Sequence, residues 1–125
     1  MKTHYSVAVA LVAGIALGSL GTRAVTAQPS PSGFFIADVD VTNPDEFNKY
    51  AAGVPATVEK YGGRYVVRGG KTESLEGPPP SRFVVTAFKS AADAKRWYTS
   101  PEYSALRPIR ERSAKSRAFI VEGVQ

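Results

Sequence analysis

The sequence predicts an α+β domain of order βαββαβ: a four-stranded antiparallel sheet with its helices packed on one face. Three observations carry this. Four short segments read as strands, the stretches between them place apolar residues at helical spacing, and each helical stretch opens on a recognisable cap.

Gly33 to Val41 alternates Phe35, Ala37, Val39 and Val41 with Phe34, Ile36, Asp38 and Asp40, the period of two that a strand requires. Asn43-Pro44-Asp45-Glu46 then opens a helix: Asn43 caps, Pro44 fits the first turn, and Glu46 reaches back to the cap. Phe47, Tyr50, Ala51, Val54, Val58 and Tyr61 follow as one apolar stripe. Pro55 interrupts it and is expected to kink or loosen the middle turn, and Gly62-Gly63 ends the helix.

Arg64 to Arg68 is the second strand, with Arg64, Val66 and Arg68 expected on one face and Tyr65 and Val67 on the other. Lys71 to Ser81 is a polar loop stiffened by Pro78-Pro79-Pro80, and Arg82 to Phe88 is a third, central strand. Ser90-Ala-Ala-Asp93 is a second capping box, before Ala91, Ala94, Trp97 and Tyr98. Ser100-Pro101 breaks that helix and recaps a further stretch from Glu102 to about Ser113, with Pro108 making it irregular. Arg117 to Glu122 is the last strand. Both crossovers must be right-handed, which leaves the second sheet face bare. That face would show Phe34, Ile36 and Val84, an apolar surface that a second copy would cover.

Ahead of this domain, residues 1–27 have the layout of a signal peptide. Lys2 is followed by the apolar run Val7 to Leu20 and by the small residues Val25-Thr26-Ala27. The run is short for a membrane span, although an uncleaved anchor is the alternative, and no Cys follows it to carry a lipid. Residues 28–32 form a proline-rich linker and 33–125 the domain, so an exported protein, periplasmic or secreted, is expected, with no membrane attachment after cleavage.

Composition removes several kinds of chemistry. The chain has no Cys, and its single His is His4, in the leader. The domain therefore has no disulfide, thiolate, imidazole triad or His/Cys metal site. No metal and no cofactor are expected. The formal charge is +5; losing Lys2 and Arg23 leaves 14 basic against 11 acidic residues, +3. Lys95, Arg96, Arg107, Arg110, Arg112, Lys115 and Arg117 crowd the C-terminal third. Without an aromatic-interleaved recognition motif this reads as a solvated helix face, not a nucleic-acid site.

Tyr61-Gly-Gly-Arg-Tyr-Val-Val-Arg-Gly-Gly70 and Trp97-Tyr-Thr-Ser-Pro-Glu-Tyr103, running on to Leu106-Arg-Pro-Ile-Arg110, resemble the paired signatures of the domain-of-unknown-function family DUF1330. The resemblance extends from about Phe34 to Val124. It implies a ferredoxin-like domain that pairs into a dimeric α/β barrel, hence a homodimer, and it carries no agreed activity.

The candidate binding residues are Arg68, Arg64, Tyr103, Tyr98, Arg107, Arg110 and Asp38. Arg64 and Arg68, four apart on one strand, either clamp a carboxylate or phosphate or serve as edge-strand charges paired with Asp38 or Glu76. Trp97, Tyr98 and Tyr103 either pack the helix junction or wall a pocket whose polar end is Arg107 and Arg110. Asp38, two residues from Asp40 on one strand face, is either a buried base or an ion-pair partner. The glycines of Tyr61-Gly-Gly-Arg64 follow a helix rather than precede one, so they cap it and cradle no phosphate. The leading functional expectation is a small anionic or aromatic molecule bound in an Arg/Tyr-lined cavity. A cofactor-free enzyme of the dimeric α/β-barrel type (isomerase, decarboxylase or monooxygenase-like) and a purely structural self-associating module are the alternatives.

Overall fold

The computed structural model describes residues 31–125; the leader and most of the linker lie outside the described residues. Strands β1 (Gly33–Val41), β2 (Arg64–Arg68), β3 (Phe83–Phe88) and β4 (Ala114–Glu122) form one antiparallel sheet in the order β2-β3-β1-β4. Helices α1 (Pro44–Lys60), α2 (Ala91–Tyr98) and α3 (Pro101–Ser113) cover one face. This is the expected ferredoxin-like α+β arrangement.

The caps act where the sequence puts them. Asn43 Oδ1 accepts from Glu46 N at 3.3 Å, Ser90 Oγ from Asp93 N at 3.1 Å, and Ser100 Oγ from Tyr103 N at 3.2 Å. Gly62 adopts φ +77° just past α1, the left-handed conformation that ends a helix with least strain in glycine. Pro55 and Pro108 both sit inside helices that run on through them.

Between sheet and helices lies an aromatic core. Trp97, 1% exposed, packs on Tyr103 at 4.2 Å between ring centres, on Phe35 at 5.0 Å and on Phe88 at 5.5 Å. Its indole Nε1 donates to Thr57 Oγ1 at 3.0 Å, and Thr57 in turn donates to the Val54 carbonyl at 2.7 Å. The only tryptophan thus ties α2, α1 and the sheet together while leaving no donor unsatisfied.

Three expectations change. First, β4 begins at Ala114, three residues early. The Ser113 carbonyl accepts from both Thr42 N (2.8 Å) and Asn43 N (3.0 Å), which seats Ala114 opposite Val41 with no loop after α3. Second, a bulge between Tyr65 and Val67 interrupts the alternation of β2. Arg64 stays on the bare face opposite Ala87 and Tyr65 on the helix side opposite Thr86, whereas beyond the bulge Arg68 pairs with Val84 and joins the helix side and Val67 moves to the bare face. Third, Val84 lies opposite Ala37 and packs against the core, so the bare face carries Val85 in its place. That face still presents Phe34, Ile36 and Val67, with Phe119 50% and Val121 42% exposed.

Candidate functional site

The site begins with a missing proton donor. Pro55 has no N–H, so the carbonyl four residues earlier in α1, that of Ala51, lacks its helical partner. Arg68 supplies one: its Nη2 donates to Ala51 O at 2.7 Å, and its guanidinium lies 4.7 Å over the Tyr65 ring. Without the β2 bulge Arg68 would leave the other face. Helix proline and strand bulge together pin an arginine across the gap between the edge strand and α1.

Beneath that arginine, α1 and strands β1, β2 and β3 enclose a cavity of about 30 Å³. Its apolar walls are Phe35, Ala37, Val39, Phe47, Val54 and Val84. Its polar lining is Tyr50, Tyr65, Thr86, Arg68, Arg82 and Arg110. Arg68 is exposed and marks the mouth, where it stands beside Ala51 and Arg82.

Arg82 reaches the cavity from the start of β3, its guanidinium 5.6 Å over the Phe47 ring. A Cβ on Gly69 would come within 2.7 Å of Arg82 Nη1, and Gly69 itself holds φ +64°. Glycine at 69 is therefore what lets Arg82 lie over the chain and into the cavity.

Arg110 comes from α3 and is 6% exposed. Its Nη1 donates to Tyr103 Oη at 2.9 Å, and Tyr103 Oη is 2.8 Å from Tyr50 Oη. Burial raises the pKa of both phenols, Tyr103 far above its ordinary range and Tyr50 upward, so each stays neutral. The Nε atoms of Arg82 and Arg110 are buried with no hydrogen-bond partner. Among the described residues no carboxylate forms an ion pair with Arg68, Arg82 or Arg110.

Of the residues singled out from the sequence, Arg68, Tyr103 and Arg110 meet here. Arg64 does not, because the bulge leaves it on the bare face. Asp38 is also on that face, accepting from Ser81 N at 2.9 Å and standing opposite Arg117 in the register; it is no base for this cavity. Tyr98 packs on Tyr103 at 5.4 Å between ring centres but does not line the cavity; the Arg107 guanidinium lies 5.0 Å over its ring, and Arg107 also pairs with Glu111 at 3.4 Å. Tyr98 borders an open cleft of about 390 Å³ between α2 and β4, with Lys95, Phe119 and Ile120. Tyr50, Tyr65 and Arg82 were missed: Tyr50 passed for another stripe residue, Tyr65 for the apolar side of a strand, and Arg82 for the first residue of one. Pro55, four residues beyond Ala51, was the available signal that a carbonyl in α1 needed an outside donor. Among the described residues no group of three His, Cys, Asp or Glu could hold a metal, and no helix is long and apolar enough to cross a membrane.

The family model described as "Domain of unknown function (DUF1330)" matches residues 32–124. Among solved structures, a protein of unknown function from Rhodopseudomonas palustris is similar at 17% identity and a TM-score of 0.63, covering 82% of this chain and 88% of that one. SnoaB, a cofactor-independent oxygenase from Streptomyces nogalater, is similar at 16% identity and a TM-score of 0.55, covering 77% and 96%. A Bacteroides thetaiotaomicron protein described as a possible oxidoreductase follows at 13% identity and 0.52, covering 77% and 100%. Identities this low show a shared fold. No curated protein matches the chain.

Proposed function

Since the chain belongs to the DUF1330 family, whose description assigns no activity, we propose from the cavity itself that this domain binds a small anion between α1 and the sheet. One observation carries the reading: three arginines line one small cavity, none of them paired with a carboxylate among the described residues, and one of them almost fully buried. A buried cation without a counter-charge costs several kcal/mol, and an anionic ligand offsets that cost directly. Guanidiniums at the mouth also draw anions in. The size of the cavity narrows the ligand. A dry cavity that accepts benzene measures about 150 Å³, so 30 Å³ takes an anionic head group and excludes an aromatic ring.

The test is a calorimetric and thermal-shift titration with formate, acetate, nitrate and benzoate. Binding of the smaller anions that Arg82→Gln abolishes supports the proposal. No heat and no shift with any of them ends it.

We place the site in an exported homodimer. Residues 1–27 read as a signal peptide, and the bare face is apolar at the end occupied by Phe34, Ile36, Phe119 and Val121. A second copy laid against this face would remove that surface from water. Sedimentation at micromolar concentration is expected to give twice the chain mass, and Phe119→Asp to return it to one.

A cofactor-free enzyme is the second reading. It is favoured by the neutral Tyr50–Tyr103 pair beside the cavity and, by analogy of fold alone, by the likeness to a cofactor-independent oxygenase.

A further inference from the structure

The hydrogen bonds around Tyr103 can be counted to completion. Its hydroxyl is one donor and an acceptor, and the residue is 0% exposed. Arg110 Nη1 can only donate, so Tyr103 Oη accepts from it. The remaining partner of Tyr103 is Tyr50 Oη at 2.8 Å. A buried hydroxyl proton left without an acceptor is costly, so the Tyr103 proton goes to Tyr50. The order of donation is then fixed: Arg110 to Tyr103, Tyr103 to Tyr50. Tyr50 then accepts from Tyr103 and still holds its own proton, for which the described residues offer no acceptor, and Tyr50 lines the cavity.

A chain that starts on a guanidinium polarises each O–H in turn, so its last member is a stronger donor than an isolated phenol. Such a donor is best matched by an anionic oxygen. Arg82 lines the same cavity with its buried Nε unpartnered, and the Nε side of a guanidinium is one edge of the planar fork that fits a carboxylate through two parallel bonds. We infer that the ligand is a short aliphatic carboxylate, one oxygen accepting from the Tyr50 hydroxyl and the head group held by Arg82, with Tyr103 positioning Tyr50 without touching the ligand and Arg110, which lines the same cavity, supplying the buried positive charge that the carboxylate offsets. This rests on the anion-binding reading and deepens it.

The cavity admits the carboxylate and little more, so any tail longer than a methyl or ethyl group has to pass the mouth that Arg68 spans. Formate and acetate therefore bind without disturbing the Arg68–Ala51 bond, and benzoate does not bind.

The experiment is an acetate titration of the protein followed in three ways: by the fluorescence of Trp97, which lines the same cavity, by calorimetry, and by NMR of protein labelled at tyrosine Cζ. Acetate is expected to move the Cζ signal of Tyr50 more than that of any other tyrosine. Tyr50→Phe is expected to weaken acetate at least tenfold, the usual weight of a hydrogen bond to a charged group. Tyr103→Phe should weaken it less, because Tyr50 remains but loses its orientation. Nitrate, planar and anionic but not a carboxylate, should bind more weakly than acetate. The outcomes separate the two levels. If acetate binds and Arg82→Gln abolishes it, while the Tyr50 Cζ signal stays still and Tyr50→Phe binds normally, the Tyr50 assignment is overturned and the anion site stands. If the wild-type protein binds neither formate nor acetate, both fall. Because the Cζ shift is read on the wild type, a Tyr50→Phe variant that failed to fold would leave the decision intact.

Discussion

The two faces of the sheet treat charge in opposite ways. On the bare face each acid has a base across the strand: Asp38 stands opposite Arg117 and Asp40 opposite Lys115. On the helix-covered face Arg68, Arg82 and Arg110 converge with no acid among them. Neither opposition closes to an ion pair, and water screens both, so the arrangement is worth little. Of the second set Arg110 sits where screening is poor, so its lack of a counter-charge is expensive and informative. An exposed charge describes a surface; a buried unpaired one describes an absent partner.

The largest effect is expected from removing the packing that keeps the inner face dry. Trp97→Ala deletes the ring that touches Tyr103, Phe35 and Phe88. It should cost about 3–5 kcal/mol in urea unfolding, most of what a domain of this size has to spare. Native Trp97 emission should be blue-shifted and poorly quenched by iodide. An indole as exposed as free tryptophan would place it outside the core.

Next in size is the response to alkali. Tyr50 and Tyr103 have folded values above the ordinary 10.0. The stability they provide is thus fully present below pH 10 and is lost as pH rises through the folded values. The denaturation midpoint should stay level from pH 7 to about 9.5 and fall above 10, more shallowly in Tyr103→Phe. Tyrosinate absorbance should rise in step with unfolding; free ionisation of all the tyrosines in the folded protein would contradict the burial of the pair. The acid limb is weaker. Glu102, bonded first by Lys60 and then by Tyr61, is held down to about 2. Its contribution is present above the ordinary 4.5 and fades as pH falls toward 2, and its exposure keeps the effect slight.

The smallest effect belongs to the bare face. Arg117→Ala should change monomer stability by less than about 0.5 kcal/mol, while Arg110→Met, which removes a buried lone cation, should be neutral or stabilising and abolish acetate binding. Equal losses in the two variants would erase the contrast between the faces.

Most of the architecture could be read directly. β1 alternates cleanly because one of its faces is buried, and the three caps use side chains whose geometry permits little else. Trp97 and Tyr103 were legible as partners across Ser100-Pro101. The site was less so, for a definite reason. Strand alternation is a local rule, and a bulge is decided by what the strand packs against. Nothing within Arg64–Arg68 announces that Arg68 will turn toward α1, since the acceptor that draws it is created by Pro55, nine positions before the strand begins. Tyr50 carries its phenol on an apolar stripe, and only the arrival of Tyr103 from a distant helix gives its hydroxyl a role. Arg82 depends in the same way on the absence of a side chain at residue 69.

Pro55 has a consequence for how the edge strand is fastened. An amino acid with an N–H at that position would give the Ala51 oxygen a donor from its own helix, and Arg68 would share that oxygen instead of being the side chain that satisfies it. The bond that crosses from β2 to α1 would then be an addition to the helix and no longer a repair of it. A residue that weakens its own helix thus gives a strand from elsewhere in the chain something to hold.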